Sequence, residues 1–236
     1  MLSGQHRAAP PLSAVRRLTA ALMIVGAVAH SGFLLEFFLD TALSPWHTLP
    51  AYLAVGDQPY RDVFRTVDWI AGCAFVLMCP PLLRIAPVHW LGRLTVVVIF
   101  ATGVILLLRT ALPLECVPVA AGPCDAPAGH FLHSSVLLPA VQYILGPVIV
   151  AAWWHGWWRV TVCGLLAVQL VTWTVVIVLG WLDLGWFTGL AVRVQLVACS
   201  TLLMVGAVYV LSMGTSRSSG TARRDHSRKR VVACPE

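Results

Sequence analysis

Long apolar runs alternate along this chain with short polar connections, and within the runs apolar residues are continuous rather than alternating in period two. A helix needs about 20 apolar residues to cross a bilayer. Six stretches approach or reach that length: roughly Leu18–Phe38, Val67–Leu83, Trp90–Leu108, Ser134–Trp154, Val160–Trp181 and Thr188–Met213. The second is short and runs into Pro80-Pro81, where a missing N–H and a ring clash predict a break or kink. A membrane β-barrel would need short alternating segments instead. No internal repeat is found, which argues against an inverted-repeat transporter. The pattern predicts an all-α polytopic membrane protein, a bundle of six transmembrane helices. Residues 1–17 form an N-terminal tail, 18–213 the membrane domain and 214–236 a disordered basic tail.

Composition agrees. Hydrophobic residues make up 58% of the chain and charged residues 11%, with a mean hydropathy of +0.82. A soluble domain is about 25% charged. The net charge of +6 does not point to nucleic acid, because the basic residues sit in tails and short connections. Twelve of them fall on one side of a six-span map: Arg7, Arg16, Arg17, Arg84, Arg93, Arg159 and six in the C-terminal tail. Only Arg61, Arg65 and Arg109 fall on the other, which instead collects Asp40, Asp57, Asp62, Glu115, Asp125 and Asp183. Basic residues accumulate on the cytoplasmic side, so both termini are expected there, in a multi-pass protein of the cell membrane. The first span also has the basic start and "AVA" end of a signal peptide. Its apolar run continues through "GFLLEFFL", which favours a retained helix. Tryptophans Trp69, Trp90, Trp181, Trp186 and the cluster "WWHGWW" lie near span ends, where interfacial anchoring accounts for them.

The connection "LECVPVAAGPCDAPAGHFLHSS" carries Cys116, Cys124, His130 and His133. On the extracytoplasmic side disulfides form and persist. The Cys116–Cys124 spacing also exceeds the tight C-x2–4-C pairs of structural zinc sites. A Cys116–Cys124 disulfide is therefore expected, with no metal and no cofactor. His130 and His133 stand at i and i+3 where the fourth span opens. They read as a polar helix start, the alternative being half of a metal site. Cys73, Cys79, Cys163 and Cys199 lie within spans and read as small packing residues.

Ionisable groups inside a membrane are costly and are either paired or functional. His30, Glu36, Asp68 and Arg193 are such groups, and all fall in the outer half. Glu36, Arg65 and Arg109 read as structural or snorkelling charges. Asp68 and Arg193 are expected to pair. His30, Asp68, His130, His133 and Arg193 together form the candidate polar pocket of the outer leaflet, with catalytic residues unknown. Gln142, Gln169 and Gln195 are accounted for by hydrogen bonds between helices. "GWFTG" at Gly185–Gly189 is weak support for dimerisation. The basic tail is expected to meet anionic lipid heads, at about 1 kcal/mol per residue. Membrane lipids are the expected partners, nucleic acid is not one, and the sequence names no protein partner.

Two places resemble the bacterial membrane proteins, common in actinobacteria, that carry the domain of unknown function 998. "LSPWHTLPAYLAVGDQPYRDVFRTVDWIAG" resembles the family's Gly-x-Pro loop running into an Arg-x-x-Asp helix start, with Arg65 and Asp68 in the matching places and Gly56 and Pro59 matching with one residue more between them. "LPLECVPVAAGPC…HFLHSS" is similar to the family's paired-cysteine loop followed by histidines. The resemblance spans residues 15–212. It implies a six-helix membrane protein without an established activity, and directs attention to Arg65–Asp68 and Cys116–His133. The functional expectation is a non-enzymatic binding or accessory component of the cell envelope. The alternative is a metal-dependent hydrolase or transferase acting on lipid through His30, Asp68, His130 and His133; a small-solute transporter is a weaker one.

Overall fold

The computed structural model describes residues 11–41, 43–55, 58–86, 89–112, 141–182 and 187–213. Cys116, Cys124, His130, His133, the start of the fourth span and the tail from 214 lie outside the described residues.

Six helices follow in order: α1 (Leu12–His30), α2 (Arg61–Ile85), α3 (Trp90–Ala111), α4 (Gly146–Trp153), α5 (Trp157–Trp181) and α6 (Thr188–Ser212). Among the described residues no strand occurs. Five helices are long and apolar enough to cross a membrane. The described part of the fourth span is shorter, an apolar helical stretch over Tyr143–Trp153. A multi-pass helical membrane bundle therefore stands, with five full spans among the described residues; the start of the expected fourth span lies outside them.

Each helix packs on the next, α1 through α6, and α6 returns to α1, so the bundle closes into a ring. The ring has two unlike ends. One, the capped end, carries the start of α2, the ends of α1 and α3, and the connection from Phe38 to Tyr60. The other, the basic end, carries Arg16, Arg17, Arg84, Arg93 and Arg159, and no Asp or Glu among the described residues.

The α2 helix illustrates how the sequence builds the ring. Phe64, Ala71, Ala74, Phe75, Met78 and Leu82 recur every three or four residues and are buried. Leu77 and Leu83, on the opposite face, are more than half exposed, as residues facing lipid acyl chains are. Small residues set the helix spacing, because apolar lipid gives adjacent helices no hydrophobic drive to associate and close packing must do so. A Cβ at Gly103 would lie 2.9 Å from Phe75 Cβ and 3.0 Å from the Gly72 carbonyl oxygen. A Cβ at Gly72 would in turn lie 3.2 Å from the Gly103 oxygen. The two backbones touch at this crossing.

Two expectations about boundaries are corrected. Pro80 and Pro81 do not end α2, which runs to Ile85 with both inside it. Beside them the Cys79 thiol donates to the Phe75 carbonyl (3.1 Å); the carbonyls that Pro80 and Pro81 leave without an N–H are those of Val76 and Leu77. The first span does not continue as an α-helix to Phe38. It stops at His30 and tightens into a 3-10 turn over Gly32–Phe37. Gly32 packs so closely that an added Cβ would fall 2.5 Å from Val67 Cγ2. In α4, Pro147 cannot donate to the Tyr143 carbonyl, and the chain ahead of it widens into a π turn over Val141–Leu145.

Replacement of Gly103 by Leu is expected to cost about 1–3 kcal/mol through overpacking at a backbone contact. Thermal unfolding in detergent would record it. Gly164→Leu on α5 is the control, since a Cβ there meets nothing within 4 Å, and its midpoint should stay put.

Candidate functional site

Polar side chains gather at the capped end in two separate groups. The first centres on Arg193, in the second turn of α6, which is 3% exposed. Its Nε and one terminal nitrogen grip both oxygens of Glu36, the latter at 2.6 Å, in a two-pronged pair. Its other terminal nitrogen donates to the carbonyl oxygens of Pro45 (2.6 Å) and Thr48 (2.8 Å). The Ser44–Thr48 turn closes on the Ser44 oxygen through His47 N, Thr48 N and Thr48 Oγ1. That leaves the Pro45 and Thr48 carbonyls for the guanidinium. The 3-10 turn aims Glu36 inward (4% exposed) while Phe37 and Phe38 face out. Gly189 makes room for the contact: a Cβ there would sit 2.5 Å from the Thr48 oxygen and 2.7 Å from the Pro45 oxygen.

This group locks a cap. The connection after Phe38 folds over the end of the ring and buries Leu53 and Val55 to 2% exposure each. Leu53 packs in one cluster with Phe33, Phe64, Tyr143, Leu196 and Cys199. Burial beneath the cap pushes the Tyr52 hydroxyl above its usual pKa. The expected Asp68–Arg193 pair is thereby corrected. Arg193 holds Glu36, and Glu36 is a buried partner rather than a charge snorkelling at a span end. Arg65 on α2 donates to the Thr110 carbonyl on α3 (3.2 Å), closing an open helix end.

The second group lies inside the ring. His30 ends α1 and is 5% exposed. Its ring stands 5.8 Å from Phe75 and 6.2 Å from Tyr143, centroid to centroid. Arg109 on α3 hydrogen-bonds with the Tyr143 side chain and lies close enough to act electrostatically on His30 and Asp68. So the structure sets His30 and Asp68 each within electrostatic reach of Arg109, and holds Arg193 on Glu36. It adds Arg109, read from sequence as a flanking charge, and Tyr143, whose signal was a polar "QY" step in an apolar span. The Cys116–Cys124 disulfide and the places of His130 and His133 fall outside the described residues.

One feature separates the two groups. Arg193 is fully served, whereas His30 Nε2 is buried with no hydrogen-bond partner among the described residues. The same holds, deeper in the ring, for both amide atoms of Gln169, for Gln195 Nε2 and for Ser200 Oγ. These glutamines do not make the expected interhelical bonds. Among the described residues no cluster of three His, Cys, Asp or Glu could hold a metal. Cys79 and Cys199 are buried as packing residues; Cys73 and Cys163 are exposed on the lipid face.

Compared with models of known protein families, with curated proteins and with solved structures, the chain matches none.

Breaking the buried pair with Glu36→Gln is expected to cost about 3–5 kcal/mol. The double variant Glu36→Gln/Arg193→Met should lose less than the two single losses combined. Asp68→Asn and Arg193→Lys, in contrast, should add to within about 0.5 kcal/mol. Stability measured across both cycles checks the assignment. Gly189→Ala should loosen the cap, read as faster amide exchange over residues 45–55.

Proposed function

We propose that this chain is a non-enzymatic component of the cell envelope, a multi-pass protein of the plasma membrane that binds a small polar ligand within the ring. The excess of arginine at the basic end supports placing that end and both termini in the cytoplasm, with the cap outside. The ligand site is the group formed by His30, Asp68, Arg109 and Tyr143. The observation that carries the reading is His30 Nε2, buried without a partner among the described residues. Such an atom costs about 1–3 kcal/mol and is retained where a ligand or bound water completes it. Around it stand a guanidinium, a carboxylate and a phenol, a set that recognises a hydrogen-bonding solute carrying charge. Membership of the family with domain of unknown function 998 is a proposal of the same kind, resting on the two motifs quoted above.

A metal-dependent lipid enzyme is the second reading. It rests on His130 and His133 alone, since the described residues offer no ligand cluster.

His30→Phe tests the first reading, because phenylalanine suits the aromatic neighbours Phe75 and Tyr143. In the ligand-free protein it is expected to raise stability by about 1 kcal/mol or more, as removal of an unserved polar group does. Wild type should be thermally stabilised by a polar solute from a panel of glycerol phosphate, inorganic phosphate and short carboxylates. The variant should not respond. A variant less stable than wild type, with no responding solute, sinks the proposal. About one zinc per chain, lost in His130→Ala/His133→Ala, would install the enzyme reading instead.

A further inference from the structure

The opposite end of the ring holds a different kind of space. A cavity of about 110 Å³ lies between the last turns of α2, α4 and α6 and the first turns of α3. Met23, Ile85, Val96, Trp154, Gly206 and Tyr209 are among its walls. Its lining is almost wholly apolar, and an apolar cavity does not hold ordered water, which needs two to four polar partners. One lining residue carries a polar atom without a partner among the described residues. Trp154 lines the cavity at 5% exposure, stacked on Tyr209 at 4.2 Å, and its Nε1–H has no partner. Its neighbour Trp153, by comparison, donates to Thr95 Oγ1 at 3.3 Å.

Guanidinium groups ring the same end. Gly26 packs on Ala74 and Phe75, and Gly103 packs on Gly72 and Phe75. Ten residues toward the basic end from Gly26, Ala74 and Gly103 come Arg16, Arg84 and Arg93. The three therefore stand at one level, about 15 Å from the glycine crossing. Arg84 shares the turn of α2 that supplies Leu82 and Ile85 to the cavity, and Arg93 the turn of α3 that supplies Gly92 and Val96. Both are exposed, and neither has a carboxylate within ion-pair distance among the described residues. Arg16 Nε is buried and has no partner among the described residues.

The geometry points to a binding site for one acyl chain of an anionic membrane phospholipid. The cavity takes the upper methylenes of the chain, in the manner of apolar cavities of similar size, about 150 Å³, that take up benzene. The Trp154 N–H meets the ester carbonyl. The phosphate lies among Arg16, Arg84 and Arg93, at the depth where basic residues attract anionic lipid heads. A hydrocarbon alone would leave the orphan N–H and the arginines unexplained. A soluble anion would leave the apolar cavity unexplained. The inference depends on the chain lying in a membrane, and is independent of the polar group at the capped end.

The full chain would be reconstituted in vesicles of equal phosphatidylglycerol and phosphatidylcholine, re-extracted in mild detergent and weighed by native mass spectrometry. About one phosphatidylglycerol per chain should be retained, preferred over phosphatidylcholine about tenfold. Gly206→Leu fills the cavity. A Cβ there meets only the flexible end of Met23, at 3.1 Å, so the fold should survive while retention falls at least about tenfold. Should that variant unfold, Trp154→Phe decides: it keeps the ring on Tyr209, removes the N–H and should weaken retention. Arg84→Gln/Arg93→Gln should still hold a lipid but lose the headgroup preference. A wild type without retained lipid, or one holding both lipids equally, overturns the inference, as does retention unchanged by filling the cavity or removing the N–H. Loss of the solute response in His30→Phe would leave all of these readings unaffected.

Discussion

A guanidinium cannot be left unserved inside a membrane bundle, and the capped end of this protein is organised around serving one. Arg193 gives two donors to Glu36 and two to backbone carbonyls of the first connection. Charge-assisted, two-pronged bonds of this kind are the strong ones, and they compensate the desolvation of both ions. Everything near them follows from that requirement. α1 must stop at His30 and tighten into a 3-10 turn, or Glu36 would not face inward. The Ser44–Thr48 turn must bring two free carbonyls to one point. Residue 189 must lack a side chain, or those carbonyls could not approach α6. With the turn held, Leu53 and Val55 are drawn over the ring and close it.

The saturation of Arg193 also gives meaning to the groups that are not saturated. His30, Gln169, Gln195 and Ser200 are as deeply buried, yet each keeps a polar atom without a partner. Their counterpart at the basic end is Trp154, a wall of the apolar cavity whose indole N–H is buried without a partner among the described residues. The ring is thus divided along its axis: polar and capped at one end, apolar and flanked by arginines at the other.

What surrounds the helices explains how they can be arranged so. α5 has the least buried span, with Val160, Val171 and Trp181 more than half exposed, while Val162 and Gln169 face inward. α6 has the most buried span, lying against α1, α5 and the cap. In water that difference would be written as polar and apolar faces. In lipid both faces are apolar, so Val194 and Val197 look outward from α6 while Leu196 and Leu203 look inward.

The sequence by itself determined the class and its coarse geometry. Apolar runs of bilayer length dictate helices, because backbone amides in lipid must be satisfied within the segment. The positions of arginine divide the chain's two ends, and the ionisable residues fall in one half by simple counting along the spans. The tertiary structure alone decided which charges meet. Glu36 and Arg193 lie 157 positions apart, and nothing local distinguishes Glu36 from Asp68 as the partner. Ring closure does, since it sets α1 beside α6 and places Asp68 with Arg109 and His30 instead. The passage of α2 through Pro80-Pro81 and the solitude of His30 Nε2 are of the same kind. Each depends on which neighbour a helix face meets, and a helix apolar on every side carries no record of that in its sequence.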